Sequence, residues 1–132
     1  MQSNVELAKS SFDAFNRGDA DAYVDSFSED VEWEMSAFVT GRGDYKGREG
    51  VREFLAEIER LAEQGERFRV DLTDYEELPD GRVVAFGAAR IDRANDPLEF
   101  ESAAIWTFGE GKITRLEGYT SHDEARQAAG LE

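Results

Sequence analysis

Four strand-like stretches follow one another in the second half of the chain, and only short turn sequences separate them. The stretches are RFRVDLTDYEEL, RVVAFGAARIDR, LEFESAAIWTF and ITRLEGYT, and the turns contain PDG, ANDP and GEGK. Connections this short join strands that run in opposite directions, so the order predicts an antiparallel meander. A sheet of this kind has to bury its apolar face against another layer of the same chain.

The middle of the chain predicts a helix that could belong to this layer. The stretch REGVREFLAEIERLAEQG carries its apolar residues at helical spacing and closes at Gly65, as an amphipathic helix does. The apolar stripe consists of Val51, Phe54, Leu55, Ile58, Leu61 and Ala62.

Two shorter helices are predicted near the start of the chain. In SNVELAKSSFDAFNRGD, either Ser3 or Asn4 can cap the first helix, and Gly18 ends it. Asp19 can then cap a second helix, DADAYVDSF. One side of that second helix is formed by Tyr23, Val24 and Phe27. The two helices together predict a helical hairpin.

A further strand follows this hairpin. In DVEWEM, alternation puts Val31, Trp33 and Met35 on one face and the two glutamates on the other. The stretch after it, SAFVTGRGDYKG, is predicted as a glycine-rich loop. We therefore expect a single α+β domain over residues 1–132, in which a curved, mainly antiparallel sheet wraps around three helices from the first half and a short helix ends the chain.

Charge and composition exclude several classes of partner. Thirty acidic residues against 15 basic ones give a formal charge of −15, which repels phosphate backbones and anionic lipid surfaces. The chain has no cysteine, so thiolate catalysis and cysteine zinc sites are ruled out. Neither a leader peptide nor an apolar run of membrane-spanning length is visible, and no acidic cluster has the pattern of a metal site. We expect a cytoplasmic protein without a cofactor, metal, nucleic acid or membrane as partner.

Five stretches in a fixed order carry a family resemblance: FNRGDADAYVDSF, SEDVEW, YKGREGVREFL, WTFGEGKITRLEGY and EARQAAGL. Together they resemble the nuclear transport factor 2-like superfamily, and within it the SnoaL-like proteins. The resemblance implies a cone-shaped α+β barrel whose wide end opens into an apolar pocket. Steroid isomerases, polyketide cyclases, dehydratases, epoxide hydrolases and non-catalytic proteins share that fold, so the activity has to be argued from the residues.

The catalytic acids that the resemblance would supply are replaced. Steroid isomerases of the superfamily use a carboxylate base, a tyrosine and a protonated acid; by alignment these positions hold Met35, Ser11 and Ala104. The aspartate of the polyketide cyclases corresponds to Ser121, and a serine hydroxyl is too weak a base to remove a carbon-bound proton unaided.

The epoxide hydrolases of the fold resemble this chain at one point. They carry an Arg-x-Asp pair on a strand, here Arg90 and Asp92, in which the aspartate helps to activate water. Their second aspartate aligns with Gly118. Two interpretations remain: a remnant of that site, or an ordinary ion pair at a strand edge, which is the commoner situation.

A pocket can be predicted from strand parity and from the resemblance. If Ala104 faces inward, then Ser102 and Trp106 share its face, and large rings there alternate with small residues that leave room. The predicted ligand pocket consists of Trp33, Met35, Tyr45, Phe54, Ile58, Ser102, Ala104, Trp106 and Thr120. Tyr45, with Arg42, is predicted either as a lid or as a solvated loop residue. The alternative for the whole set is a solid, interlocked core.

The single histidine allows two interpretations. If the last strand continued past Thr120, His122 would reach the mouth of the pocket and could act as a general base. If Ser121 caps a helix in SHDEAR, with Asp123 in the first turn, His122 is only a helix-start residue. The only candidate catalytic residue is therefore His122.

An apolar patch is predicted on the opposite, convex face of the sheet. Phe86, Ala103 and Ile105 point outward there and need a cover. In the superfamily that the chain resembles, the backs of the sheets commonly pair, so the resemblance implies a homodimer through these residues. The sequence thus suggests a protein that binds a small hydrophobic molecule in the barrel, with weak isomerase-, cyclase- or hydrolase-type acid-base chemistry. The alternative is a non-catalytic module for ligand binding or dimerisation.

Overall fold

The structure of the protein, a computed structural model, describes residues 3–34, 43–93 and 96–131. Its helices are α1 (Asn4–Arg17), α2 (Ala20–Asp25), α3 (Gly47–Glu63) and α4 (His122–Ala129). Its strands are β1 (Phe27–Glu34), β2 (Asp44–Lys46), β3 (Arg67–Glu77), β4 (Val83–Asp92), β5 (Leu98–Gly109) and β6 (Lys112–Tyr119). The expected α+β class is confirmed.

The six strands form one sheet in the order β2-β1-β6-β5-β4-β3. The predicted meander from β3 to β6 is confirmed, since each of these strands pairs antiparallel with the next. β1 lies parallel to β6, and β2 pairs antiparallel with β1 at the edge. β2 was predicted as loop because three residues are too few for an alternating pattern to stand out.

Side-chain caps fix the start of each helix of the helical hairpin. The side chain of Ser3 accepts a hydrogen bond from the amide of Glu6 at 3.1 Å, so Ser3 and not Asn4 is the cap of α1. Asp19 caps α2 in the same way. The prediction that Phe27 belongs to α2 is wrong, because the helix ends at Asp25 and Phe27 begins β1. None of the helices in the described ranges is both long and apolar enough to cross a membrane.

Aromatic side chains between the helices and β1 form the centre of the core. Trp33 of β1 is 1% exposed and lies 5.1–6.0 Å, between ring centroids, from four other rings. Those rings belong to Tyr23, Phe27, Tyr45 and Phe54. Tyr45 is also 1% exposed, so both predictions for it are wrong: it is neither a lid nor a solvated loop residue. Its strand pairing with Trp33 holds it inside. Arg42 lies outside the described residues.

The convex face of the sheet carries its own small core. Leu78, Val84 and Ile105 pack there with Ala129 of α4. Ile105 is 0% exposed and Ala103 is 2% exposed, so the predicted open patch is wrong for these two residues. The cover comes from the same chain, because α4 follows β6 directly and turns back onto the sheet.

Candidate functional site

A small cavity lies between the helices and the concave face of the sheet. Its volume is about 90 Å³. Its lining contains no charged side chain among the described residues and consists of Phe12, Phe15, Tyr23, Phe54, Phe68, Val70, Leu72, Phe100, Ser102, Ala103, Ala104, Trp106, Leu116, Gly118, Tyr119 and Thr120. The side chains therefore neither interlock completely nor leave a large pocket.

Five of the nine predicted pocket residues line this cavity: Phe54, Ser102, Ala104, Trp106 and Thr120. Ile58 lines a neighbouring groove instead. Trp33 and Tyr45 are core residues behind the wall, where they pack against Phe54. Met35 lies outside the described residues. Leu116, Gly118 and Thr120 line the cavity, as the inward parity predicted for the last strand requires, and Tyr119 between them lines it as well.

An open groove of about 970 Å³ adjoins the cavity. It runs between the α1–α2 hairpin, α3, and the ends of β3 and β4, and polar side chains such as Asn16, Asp19 and Glu59 lie along it. Four residues line both spaces: Phe15, Tyr23, Phe68 and Val70. These four form the junction between cavity and groove.

Tyr23 is the only residue of the junction with a polar side chain. Its ring packs against Phe15 at 5.2 Å, Phe27 at 5.0 Å and Trp33 at 6.0 Å, measured between centroids. Side-chain exposure is low, with the residue 6% exposed. Burial alone raises the pKa of the Tyr23 hydroxyl far above its usual range, and this hydroxyl forms no hydrogen bond with a described residue. The junction therefore holds a neutral phenol with unused hydrogen-bonding capacity.

The arginines of the groove are already paired. Arg69 Nε lies 3.0 Å from an oxygen of Asp92, Arg90 pairs with the same carboxylate, and Arg90 Nη1 lies 3.1 Å from Glu99. The interpretation of Arg90 and Asp92 as an ion pair at a strand edge is confirmed. Both oxygens of Asp92 are thus in contact with guanidinium groups, one with Arg69 and the other with Arg90.

Two positions at which the family resemblance would have placed a catalytic group, Ser11 and Ser121, have structural roles in this chain. Ser11 is 2% exposed, and its hydroxyl lies 2.6 Å from that of Ser26, which donates to the carbonyl oxygen of Tyr23. This chain of hydrogen bonds ties α1 to the end of α2. Ser121 caps α4 by accepting from the amide of Glu124 at 3.3 Å.

His122 lies on the convex side of the sheet and not at the cavity. Its Nε2 donates to the carbonyl oxygen of Gly87 at 2.8 Å, and its ring meets Phe86 edge-on at 5.4 Å. The amide of His122 donates to Glu101 at 2.9 Å. The prediction that His122 reaches the pocket mouth is wrong, because the chain turns into α4 at Ser121. The helix-start interpretation is confirmed.

Sequence reasoning missed most of the junction. In RFRVDL the alternation of apolar residues already puts Phe68, Val70 and Leu72 on one face, and that signal could have added β3 to the pocket wall. Tyr23 was assigned to helix packing, which is also true of its ring. Nothing in the sequence indicates that its hydroxyl lacks a partner, since this depends on which side chains surround it.

Comparison with known proteins identifies what the chain is similar to. The family description SnoaL-like domain matches residues 8–116. An uncharacterised protein of Mycobacterium tuberculosis is 30% identical over 129 residues, covering 95% of this chain and 94% of that one. A nuclear transport factor 2-like protein of unknown function from Burkholderia pseudomallei has a TM-score of 0.76 at 20% identity, with 98% of both chains covered. TerC, co-crystallised with polyporic acid, has a TM-score of 0.74 at 24% identity, covering 96% of this chain and 98% of that one.

Proposed function

Since the chain belongs to the family of SnoaL-like domains, we propose that it binds a small, mainly apolar molecule on the concave side of the sheet. The observation that carries this proposal is the uncharged cavity, in which rings such as Trp106 and Phe54 surround space beside Ala104 and Gly118. Rings supply contact area and small residues supply volume, which is the composition of an apolar ligand site.

The ligand would extend beyond the cavity. A volume of about 90 Å³ holds only a few non-hydrogen atoms, whereas ligand pockets usually have roughly 300–1,000 Å³. The adjoining groove of about 970 Å³ offers the missing space. We expect the apolar end of the molecule to enter the cavity and its remainder to lie across the junction in the groove.

Binding without acid-base catalysis is the simpler activity for this site. Among the described lining residues of the cavity there is no carboxylate and no imidazole. The hydroxyl groups there belong to Tyr23, Ser102, Tyr119 and Thr120, and a hydroxyl is a weak base at neutral pH. TerC, which shares the fold, was crystallised with polyporic acid and supports the idea that a chain of this architecture accommodates a small organic molecule.

Filling the cavity tests the proposal. Ala104→Leu adds three carbon atoms to the cavity wall, and Ala56→Leu makes the same change at an exposed position of α3 that lines neither space. Fluorescence titration with the neutral probe N-phenyl-1-naphthylamine should give a dissociation constant that is at least roughly tenfold weaker in Ala104→Leu. Ala56→Leu should bind as the wild type does.

Circular dichroism establishes that each variant is folded before it is titrated. If Ala104→Leu does not fold, Ser102→Leu narrows the same cavity from a less buried position. A wild-type protein that does not enhance the probe's fluorescence contradicts the proposal. So does equal binding by the cavity variant and Ala56→Leu.

The homodimer stays a prediction with a changed contact surface. Ile105 is already covered by α4 and Ala103 is buried, so a partner on the convex side would meet the outer face of α4 and the partly exposed Phe86 instead. Light scattering at micromolar concentration measures the mass directly. A monomer at that concentration would overturn the prediction.

A further inference from the structure

The unused hydroxyl of Tyr23 defines the ligand further. We infer that this hydroxyl donates a hydrogen bond to a neutral acceptor atom of the bound molecule, so that the ligand is an uncharged apolar compound carrying a carbonyl or ether oxygen. The inference rests on the proposed function, because it assigns a role to one group at the same site. It adds a chemical class of ligand that the shape of the cavity alone does not give.

The first argument is energetic. A hydroxyl taken out of water without a partner destabilises the folded protein, and buried hydroxyls in proteins are therefore almost always bonded. Ser11 follows this rule through Ser26, and Tyr119 follows it by donating to Glu117 at 2.6 Å. Tyr23 is 6% exposed and its hydroxyl forms no hydrogen bond with a described residue, but this hydroxyl is not a fully buried atom, since it borders the open groove and reaches solvent. A ligand that covers the junction would remove that water, and an acceptor atom on the ligand would supply the bond that the hydroxyl then needs.

The second argument is position. Tyr23 lines both the cavity and the groove, and the other three residues of the junction are apolar. A molecule that spans the junction has to pass this side chain. The ring is held from behind by Phe27 and Trp33, so the hydroxyl is presented at a fixed point, where a hydrogen bond can select between ligands of similar shape.

The third argument is charge, and it favours a neutral acceptor. The described lining of the cavity has no cationic side chain, and both arginines of the groove are occupied by carboxylates. The protein as a whole carries a formal charge of −15, which repels anions. A carboxylate buried at the junction would keep only one hydrogen bond against the loss of its hydration. A carbonyl or ether oxygen loses far less hydration free energy than a carboxylate when it is buried.

An experiment without ligand tests whether the hydroxyl of Tyr23 has a hydrogen-bond partner within the protein. Tyr23→Phe removes one oxygen and keeps the ring, so the free energy of unfolding in urea should stay unchanged or rise. Tyr119→Phe is the matched control, since the same change there removes a bonded hydroxyl and should destabilise the protein. Clear destabilisation by Tyr23→Phe would mean that the hydroxyl has a structural partner, and it would overturn the inference.

Three probes of one shape test the ligand class. They are 2-acetylnaphthalene, which has a carbonyl oxygen, 2-isopropenylnaphthalene, in which a methylene group replaces that oxygen, and 2-naphthoate, which is anionic. Titration calorimetry should show that Tyr23→Phe weakens binding of the acetyl compound roughly two- to tenfold and leaves binding of the isopropenyl compound unchanged. 2-Naphthoate should bind the wild type more weakly than either neutral probe.

The outcomes separate this inference from the proposed function. If the isopropenyl probe binds and Ala104→Leu blocks it, the proposed function stands, and an unchanged affinity of Tyr23→Phe for the acetyl probe then overturns the role of Tyr23 alone. Preferred binding of 2-naphthoate overturns the neutral ligand class. If none of the probes binds the wild type, the proposed function fails and the assignment of Tyr23 fails with it.

Discussion

The two faces of β5 (Leu98–Gly109) are formed by alternate residues of one strand, but they differ in how completely other segments cover them. Ala104 and Trp106 point to the concave side, where a cavity of about 90 Å³ remains. Ile105 points to the convex side, where it is 0% exposed and packs with Ala129 of α4. The difference teaches that alternation assigns a residue to a face, whereas the segment that covers that face decides whether it is filled.

The covering segments explain the contrast. On the concave side, three helices from the first half of the chain meet a strongly curved sheet, and their aromatic rings pack mainly against one another near Trp33. On the convex side one helix of eight residues lies flat, with the small residues Ala125 and Ala129 against the strands. Small side chains let that helix pack closely against Val84 and Ile105. Beside its first turn, an open groove of about 370 Å³ remains between His122, Arg126 and Phe86.

The substitution with the largest expected effect on stability is at Gly87 of β4, because residues on both faces of the sheet contact it. A Cβ built there would lie 1.8 Å from the carbonyl oxygen of Asp71, a backbone atom that cannot move aside easily. On the other face the carbonyl oxygen of Gly87 receives the bond from His122. Gly87→Ala should lower the free energy of unfolding by on the order of 4 kcal/mol or more in urea denaturation.

Gly109→Ala is the control for this effect. A Cβ at Gly109 would lie 3.1 Å from Cγ2 of Thr114, which is a side-chain atom that can yield. Gly109→Ala should therefore lower the free energy of unfolding only slightly. Equal stability of the two variants would show that β3 and β4 separate readily at Gly87, against the close approach seen here.

Truncation on the convex face tests whether that face is filled by the chain itself. Ile105→Ala should cost about 3 kcal/mol, because it leaves a cavity under α4. The loss should be the same at low and high protein concentration, measured by chemical denaturation. A loss well under 1 kcal/mol at low concentration, growing with concentration, would indicate that a second copy and not α4 covers Ile105.

The helix cap of α4 gives a smaller effect confined to the convex face. Ser121→Ala removes the bond to the amide of Glu124 and should lower stability by about 1 kcal/mol in thermal denaturation. Binding of the naphthylamine probe should not change, since Ser121 does not line the cavity. Weaker probe binding in this variant would show that the two faces are coupled, which the separation described above does not predict.

The smallest expected effect is a pH dependence on the concave side. Burial, together with Asp13 and Asp71, raises the pKa of Tyr75 to about 12, and its ring stacks on Trp106. A pKa raised on folding means that the stabilising contribution is complete below the unfolded value of roughly 10 and is lost as the pH rises towards 12. Between pH 9 and pH 11, Tyr75→Phe should therefore lose less stability than the wild type. An identical loss in both proteins would contradict the raised pKa.

Much of the site followed from strand parity. Strand parity, together with the resemblance that turns Ala104 inward, predicts that Ser102, Ala104, Trp106 and Thr120 share one side, and all four line the cavity. Parity failed for His122, because a strand has to end somewhere and the cap at Ser121 ends it there. Thr120 and His122 are two residues apart in the sequence. Only the turn of the chain at Ser121 places Thr120 at the cavity and His122 on the convex side.

The amino-acid sequence determined the order of the elements and the helix caps at Ser3, Asp19 and Ser121, because alternation, helical spacing and capping are properties of neighbouring residues. Only the tertiary structure decided that Tyr45 is buried, that α4 covers Ile105, and that the hydroxyl of Tyr23 has no partner at the junction. Each of these depends on side chains that are distant in the sequence. Rules based on neighbouring residues in the sequence do not describe such contacts, because the contacts form only when the helices and the sheet pack together.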